Sequence, residues 1–282
     1  MKNNMTNDEL LALVTRVKAG ERAAADALVI KIQPMISKLA LRFLFSPHDA
    51  EEAVQEILIK VLTRLGQFEG KSRFSTWVYA ISSHHLMDLK RRPTEQFMSL
   101  DEFSEDLATG LSDSNSNEKN ASPEYKHLLE EIKIGCTLAM LQCLDREARL
   151  SYILGEILEL DHQEAASVIG VTSGAYRKRL SRSRETVNHF MLGNCGLINP
   201  DNPCRCSKRV KVAKEMGRVD PNNLIFSTSQ QRAEMFPEVL VEIRKLEDSS
   251  RAAALYRSQV DPAPSALFSH WLTDLINTGH FH

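Results

Sequence analysis

The chain has 282 residues, of which 43% are hydrophobic and 26% charged, and its formal net charge is −2. This length suits two or three small domains, and the composition is that of a globular protein whose total charge does not suggest a nucleic-acid binder. No run of about 18 apolar residues occurs and the N-terminus is polar, so we expect neither membrane insertion nor a signal peptide. Five cysteines, an odd number, do not suggest a secreted disulfide framework, and we expect a cytoplasmic protein.

Apolar residues recur at helical spacing along nearly the whole chain, which predicts an all-α fold. A helical run from Glu21 contains Pro34, which we expect to kink or divide the helix. The clearest amphipathic pattern follows Ser46 and Pro47. A short loop then leads to another helix that is predicted to end near the basic residues at 90–92.

Composition divides the chain into four parts. Residues 1–92 and 123–192 are predicted to be helical domains. Residues 93–122, rich in Ser, Asn, Asp and Glu, are predicted to form a flexible acidic linker. Residues 193–282 form a C-terminal extension, with a cysteine-rich and basic segment at 193–226 and a mostly helical tail at 227–282.

A helix-turn-helix is predicted at residues 161–180. The adjacent small residues Ala165 and Ala166 allow a second helix to cross closely, and Gly170 falls where the turn needs a left-handed residue. Thr172 or Ser173 is expected to cap the second helix. That helix is strongly basic, as a DNA-reading helix in the major groove must be. The alternative is a solvated basic face on an ordinary helical hairpin.

Two parts of the sequence resemble one family. Residues 49–57 and 68–81 resemble region two of the extracytoplasmic-function (ECF) sigma factors of bacterial RNA polymerase. The helix-turn-helix, including Gly174 and the basic run at 177–184, resembles region four. The two regions occur in the family order, and the resemblance covers residues 6–192, about two thirds of the chain. It implies a non-enzymatic subunit that binds core RNA polymerase and promoter DNA.

The resemblance also implies the polymerase contacts. The helix that starts near Asp49 would pack on the clamp of the largest polymerase subunit, and region four would pack on the flap. The candidate polymerase-binding residues are Asp49, Glu51, Glu52, Gln55 and Glu56. The alternative is an acidic face that is merely solvated.

The loop at 67–73 and the helix after it match the part that opens the minus-ten promoter element. Unstacked bases are held by aromatic rings and by cations on the backbone. Phe68, Glu69 and Lys71 are the preferred base contacts, whereas Phe74 and Trp77 also fit a buried helix face. The full candidate set is Phe68, Glu69, Lys71, Arg73, Trp77, Lys90 and Arg91.

For the minus-thirty-five element, Arg177, Lys178 and Arg179 are the candidate base contacts. Tyr176 and Ser181 are expected to assist, and Arg182 and Arg184 to bind phosphate.

The extension contains Cys195, Cys204 and Cys206, and it resembles the cysteine-bearing extensions of some sigma factors of this family. Three thiolates can hold a soft metal such as Zn or Cu, with His189 as a conceivable fourth ligand, although no cofactor is required for the predicted activity. The spacings of eight and one residues differ from the usual zinc pattern. Two alternatives stay open: a redox switch, because neighbouring Lys and Arg would lower the thiol pKa, and reduced structural thiols.

The basic residues of the extension could bind DNA phosphate or the acidic linker of the same chain, and the terminal helices could form a regulatory cap or a partner surface. An anti-sigma factor is a conceivable further partner. The alternative to a sigma factor is a stand-alone helix-turn-helix regulator that senses metal or thiol state. An enzyme is not expected, because the sequence places no base or acid to activate a cysteine.

Overall fold

A computed structural model describes residues 7–90, 98–109, 111, 122–259 and 261–278. Within these ranges the regular structure is helical, and the only β-type pairing is an isolated bridge between Cys195 and Cys204. The all-α prediction is therefore confirmed. Arg91, one of the predicted promoter contacts, lies outside the described residues.

The chain forms two compact units, and the first draws on residues 1–91, 160–177 and 264–282. Its helices are α1 (Asn7–Lys18), α2 (Arg22–Leu44), α3 (Pro47–Thr63), α4 (Phe74–Asp88), α8 (His162–Ile169), the start of α9 (Ser173–Asn194) and α13 (Ala266–Thr278), with a 3-10 turn at Leu65–Gln67.

Helix α2 forms the centre of the first unit. It continues through Pro34 without dividing, because an unbroken apolar face on either side of the proline is fully buried; Leu28, Ile32, Ile36 and Leu39 all have no exposed surface. Burial of such side chains stabilises a fold by about 1.5–3 kcal/mol each, which is comparable to the cost of about 3 kcal/mol for a proline inside a helix. Of the two expected effects of Pro34, a kink or a division, the division does not occur.

Helix α3 begins as the sequence predicts. The Ser46 hydroxyl accepts a hydrogen bond from the Asp49 backbone N–H at 3.3 Å, and Pro47 occupies the first turn. Both features are favourable at a helix N-terminus. The predicted apolar face is buried at Ala53, Val54, Ile57, Leu58 and Val61.

The second unit comprises residues 92–159 and 178–263. Its helices are α5 (Leu100–Thr109), α6 (Pro123–Gln142), α7 (Arg146–Tyr152) with a π turn at Ile153–Ile157, the rest of α9, α10 (Cys206–Glu215), α11 (Gln230–Lys245) and α12 (Asp248–Ser258).

Helix α5 lies where the sequence predicts a flexible linker over 93–122, so that expectation is corrected for residues 100–109. Ser99 and Glu102 form a reciprocal capping box, with the Ser99 N–H 2.6 Å from Glu102 Oε2 and the Glu102 N–H 3.2 Å from Ser99 Oγ. Phe103 is buried and its ring stacks on Phe190 with centroids 5.5 Å apart. Both the capping box and the apolar pair Phe103 and Leu107 are visible in the sequence. The prediction of a flexible linker relied instead on the acidic composition of the segment.

The C-terminal extension packs on α6 through buried polar contacts. The carboxylate of Glu131 accepts three backbone N–H groups, from Ile225 at 2.8 Å and from Phe226 and Ser227 at 2.7 Å. The Tyr256 hydroxyl donates to the carbonyl of Thr137 at 2.8 Å. Because these groups are buried, the loop before α11 and the helix α12 are integral parts of the second unit.

Candidate nucleic-acid and polymerase interfaces

The helix-turn-helix has the local geometry that the sequence predicts. Asp161 caps α8 by accepting two backbone N–H groups at 2.8 and 2.9 Å. Gly170 ends α8 in the left-handed region, with φ of 70°. Thr172, rather than Ser173, caps α9, because its hydroxyl accepts the Ala175 N–H at 3.2 Å. These contacts set where α9 begins and therefore which of its residues face outward.

The basic residues of α9 divide into exposed ones and paired ones. Arg177, Lys178, Ser181 and Arg182 are exposed. Arg179, partly buried, forms an ion pair of 2.6 Å with Glu147. Arg184 contacts Glu156 through Nε at 2.9 Å and Nη2 at 2.5 Å.

Tyr176 is fully buried and does not reach the exposed side of α9. It lies four residues before Leu180, which is also buried, and residues at this spacing share one helix face. Its ring lies 6.1 Å from that of His162. The structure therefore places Tyr176 in the hydrophobic core, where its hydroxyl does not contact a base edge.

The acidic side of α3 is exposed or half-exposed, with one exception. Glu51, Glu52 and Gln55 are partly exposed and Glu56 is exposed; these four residues are called the docking face. Asp49 is buried, with 8% of its surface exposed. It lies in the first turn of the helix and is not part of the docking face.

The loop before α4 has a buried aromatic residue at its base. Phe68 is 6% exposed, and its ring centroid lies 5.1 Å from Phe74 and 5.5 Å from Trp77. Lys18 donates to the Phe68 carbonyl at 2.6 Å. A ring held this way does not stack on a base, so Phe68 supports the loop from within, and Phe74 is buried as the helix pattern predicts.

The other candidates at this loop are accessible. Glu69 and Lys71 are exposed and form an ion pair. Arg73 and Lys90 are exposed, and Trp77 is half-buried. These residues keep polar or aromatic groups at the surface of the first unit.

Helices α4 and α8 are joined by a contact that sequence reasoning missed. The Thr76 hydroxyl donates to Oε1 of Glu164, and Arg73 Nη1 lies 3.9 Å from Oε2 of the same carboxylate. Thr76 is buried. No local sequence signal predicts this contact, because the residues lie 88 positions apart.

His85 is a buried titratable group in the first unit. Its Nδ1 lies 2.5 Å from Nζ of Lys60, and Glu56 lies 3.8 Å from Nε2. Burial, followed by the positive charge of Lys60, lowers the pKa of His85 below its usual value. The neighbouring His84 is exposed.

The cysteines of the extension lie in a compact loop. Cys195 and Cys204 form the isolated bridge, and the carbonyl of Cys195 accepts the backbone N–H groups of Ile198 at 3.2 Å and Asn199 at 2.9 Å. Only glycine fits at position 196, because a Cβ there would lie 2.1 Å from the backbone oxygen of Cys204. The backbone of the loop is therefore closely packed between the two cysteines.

Burial raises the pKa of the cysteine thiols, that of Cys204 to about 11 and that of Cys206 well above its usual value. The nearby Arg and Lys side chains lower these pKa values less than burial raises them, so the expectation of lowered thiol pKa values is wrong. Burial, followed by the nearby Cys195 and Cys204, also raises the pKa of the Cys136 thiol on α6. In contrast, His189 is exposed on α9.

In the described ranges, no group of three or more His, Cys, Asp or Glu side chains stands in positions that could hold a metal ion. Nor does any helix of these ranges have the length and apolar character needed to cross a membrane.

Comparison with known proteins identifies the two DNA-binding regions. Residues 28–95 match the family described as Sigma-70 region 2, and residues 134–187 match Sigma-70, region 4. The chain is 32% identical over 188 residues to the RNA polymerase sigma-H factor of Pseudomonas aeruginosa, covering 65% of this chain and 94% of that protein. It is 28% identical over 181 residues to the ECF RNA polymerase sigma-E factors of Escherichia coli and Salmonella typhi, covering 63% of this chain and 91% of each relative.

These matches and the helix-turn-helix geometry agree with each other, and the family implies a non-catalytic role. The chain therefore belongs to the sigma-70 family as an ECF sigma factor, a DNA-binding protein that directs promoter-specific transcription by RNA polymerase.

Proposed function

We propose that the docking face of α3 binds the clamp of the largest polymerase subunit. The observation that supports this is the exposed acidic side of a helix whose opposite face is entirely buried. Charge complementarity across an interface mainly increases association rate and specificity. Reversing one of these charges should therefore weaken binding to core polymerase.

The charge reversal Glu56→Lys tests this contact, with Glu105→Lys as the control. Glu105 is an exposed acid on α5, so both variants change the net charge equally. We expect Glu56→Lys alone to slow association with core polymerase and to decrease the salt sensitivity of binding, because part of the attraction that salt screens is lost. Equal binding by the two variants would contradict the clamp contact.

We propose further that α9 reads the minus-thirty-five element through its exposed residues Arg177, Lys178, Ser181 and Arg182, while region four packs on the flap. For the minus-ten element we propose Glu69, Lys71, Arg73, Trp77 and Lys90. Support comes from their exposure and from the need for cations and an aromatic ring around unstacked bases.

Run-off transcription with core polymerase and fragmented genomic DNA tests the whole assignment. We expect discrete new transcript starts that require both the chain and core polymerase. Specific DNA binding without any transcript start would favour the stand-alone regulator instead.

We propose that the C-terminal extension regulates the sigma activity by binding helix α5, which lies in the predicted linker. Arg209 and Arg218 both donate to the carboxylate of Asp106 on α5, at 2.7 and 2.8 Å. Burial raises the pKa of Asp106, but the hydrogen bond from Arg218 and the charge of Arg209 outweigh it and lower that pKa. Arg209 and Arg218, two basic residues of the extension, thus bind α5. This contact favours the predicted linker over DNA as the partner of these residues.

We propose that the thiols of Cys195, Cys204 and Cys206 bind a soft metal ion, Zn²⁺ or Cu⁺, with Cys136 rather than His189 as the fourth ligand. Support comes from the bridge that brings Cys195 beside Cys204 and from Cys136, whose thiol pKa those two cysteines help to raise. Binding requires the side chains to rotate toward one another and to lose their protons.

Metal analysis of the purified protein tests this proposal. We expect about one equivalent of metal in the wild type and in His189→Ala, and much less in Cys136→Ser and Cys204→Ser. Absence of stoichiometric metal after zinc or copper(I) is supplied to the reduced protein would overturn it.

A further inference from the structure

The last helix of the chain, α13, belongs to the first unit together with sigma region 2. Ser265 precedes it, and its hydroxyl accepts the Phe268 N–H at 3.1 Å, as an N-cap residue does. In a capping box the N–H of such a serine is bound by a Glu or Gln three residues later. Here that position is Phe268, and Glu51 of α3 takes the role instead.

Glu51 uses both carboxylate oxygens for this contact. Oε1 accepts the Ser265 N–H and Oε2 accepts the Ser265 hydroxyl, each at 2.6 Å. The positive end of the α13 dipole also favours a carboxylate at this place. A residue of the docking face is therefore occupied by a segment 214 positions further along the chain.

The other end of α13 is held by the same part of the molecule. The guanidinium of Arg22, at the start of α2, donates to the carbonyl of Ile276 at 3.0 Å. Ile276 lies in the last four residues of α13, whose carbonyls have no partner within the helix. One backbone group at each end of α13 thus has a partner on α3 or α2.

One face of α13 is covered. Phe268 is only 1% exposed, and its ring lies 5.6 Å from that of Trp271. Leu272 and Leu275, at the spacing of the same face, are partly buried. Leu267, the neighbour of Phe268, is 85% exposed. A single helix does not bury one of its own rings this completely, so α13 is packed in a definite orientation.

We infer that the start of α13 occupies Glu51 of the docking face and thereby competes with core RNA polymerase for that face. This inference rests on the proposed contact between α3 and the clamp. Polymerase can bind the carboxylate of Glu51 only after the start of α13 is released. Its apparent affinity is therefore its intrinsic affinity multiplied by the fraction of molecules in which α13 is detached. The activity of the sigma factor is then set by whatever releases the C-terminal helix.

The test uses full-length protein and purified core polymerase. Phe268→Ala removes the buried ring and should detach α13, whereas Leu267→Ala removes an exposed side chain of the same turn. We expect Phe268→Ala to bind core polymerase about tenfold more tightly than the wild type, within the range of intramolecular coupling, and Leu267→Ala to bind unchanged. Arg22→Ala, which removes only the distal hydrogen bond, should shift affinity in the same direction by a smaller factor.

Amide hydrogen exchange shows whether each variant releases the helix. In Phe268→Ala the amides of α13 should lose protection while those of α2 keep it. If α13 is released and affinity for core is unchanged or lower, the competition is absent although the sigma assignment survives. If neither the wild type nor any variant binds core polymerase, the proposed clamp contact itself fails and the inference fails with it. If α2 also loses protection in Phe268→Ala, Arg22→Ala decides by the same criterion.

Discussion

The hydroxyl of Thr76 donates a hydrogen bond to Glu164, so α4 and the first helix of the helix-turn-helix share a contact. Arg73, a proposed minus-ten contact, lies 3.9 Å from the same carboxylate. The carboxylate of Glu164 therefore faces both a residue of α4 and the residue that precedes this helix.

Replacing Glu164 should loosen this contact. Glu164→Ala removes the acceptor of a buried hydroxyl, and a hydrogen bond to a charged group contributes about 1.5–3 kcal/mol. We expect faster amide exchange in α8 than in the wild type. Gln163→Ala, an exposed neighbour on the same helix, is the control, and similar exchange in both variants would show that the carboxylate does not hold α8.

We expect one arginine of α9 to contribute to DNA binding and another to the stability of the fold. Arg177→Ala is expected to weaken binding to promoter DNA by about 1–3 kcal/mol if it reads a base, with the thermal midpoint unchanged. Arg184→Ala should instead lower the thermal midpoint, because it leaves the largely buried Glu156 without its guanidinium partner. Filter binding and calorimetry on the two variants check this, and a reversed pattern would reassign both residues.

The buried carboxylate of Glu131 should be essential for the second unit. Glu131→Gln replaces an acceptor for three backbone N–H groups with an amide that presents its own donors, and we expect a loss of about 2–3 kcal/mol in the free energy of unfolding. Glu124→Gln makes the same chemical change at an exposed position of the same helix and should cost less than about 0.5 kcal/mol. Denaturant titration measures both, and equal losses would contradict the role of the buried contact.

His85 should make the stability of the first unit depend on pH. Its pKa is lowered in the folded protein, so the unfolded chain binds more protons near the ordinary His pKa of about 6.5. Stability is therefore fully present above that pH and decreases as the pH falls below it. Thermal midpoints at pH 7.5 and 5.5 should differ less in His85→Gln than in the wild type, whereas His84→Gln, at an exposed position, should keep the wild-type difference.

The cysteines of the extension should react slowly. Burial raises the pKa of Cys204 to about 11, and the thiolate is the reactive form. After chelator treatment, we expect iodoacetamide to modify Cys195, Cys204 and Cys206 at least about tenfold more slowly at pH 7.5 than in denaturant. Rapid modification of the folded protein at one of them would instead favour a redox switch.

Sequence patterns sufficed wherever the determining contacts are local. Asp161, Gly170 and Thr172 act on backbone groups within a few residues, so the helix-turn-helix could be predicted in detail. Helix α5 could also have been predicted from the sequence, because Ser99 and Glu102 form a local capping box. Composition is a weaker guide than such pairs, since two buried apolar residues are enough to hold an acidic helix in place.

Only the tertiary structure decided which predicted site residues are accessible and what they contact. Phe68 and Tyr176 have the residue types that DNA recognition uses, yet packing buries them. The pairing of Glu51 with Ser265 depends on segments that no local pattern relates. The sequence by itself determined the family, the start of α3 and the helix-turn-helix with its caps, because those follow from neighbouring residues. Burial, thiol pKa values and the position of α13 follow from contacts between distant segments, and these exist only once the chain has folded.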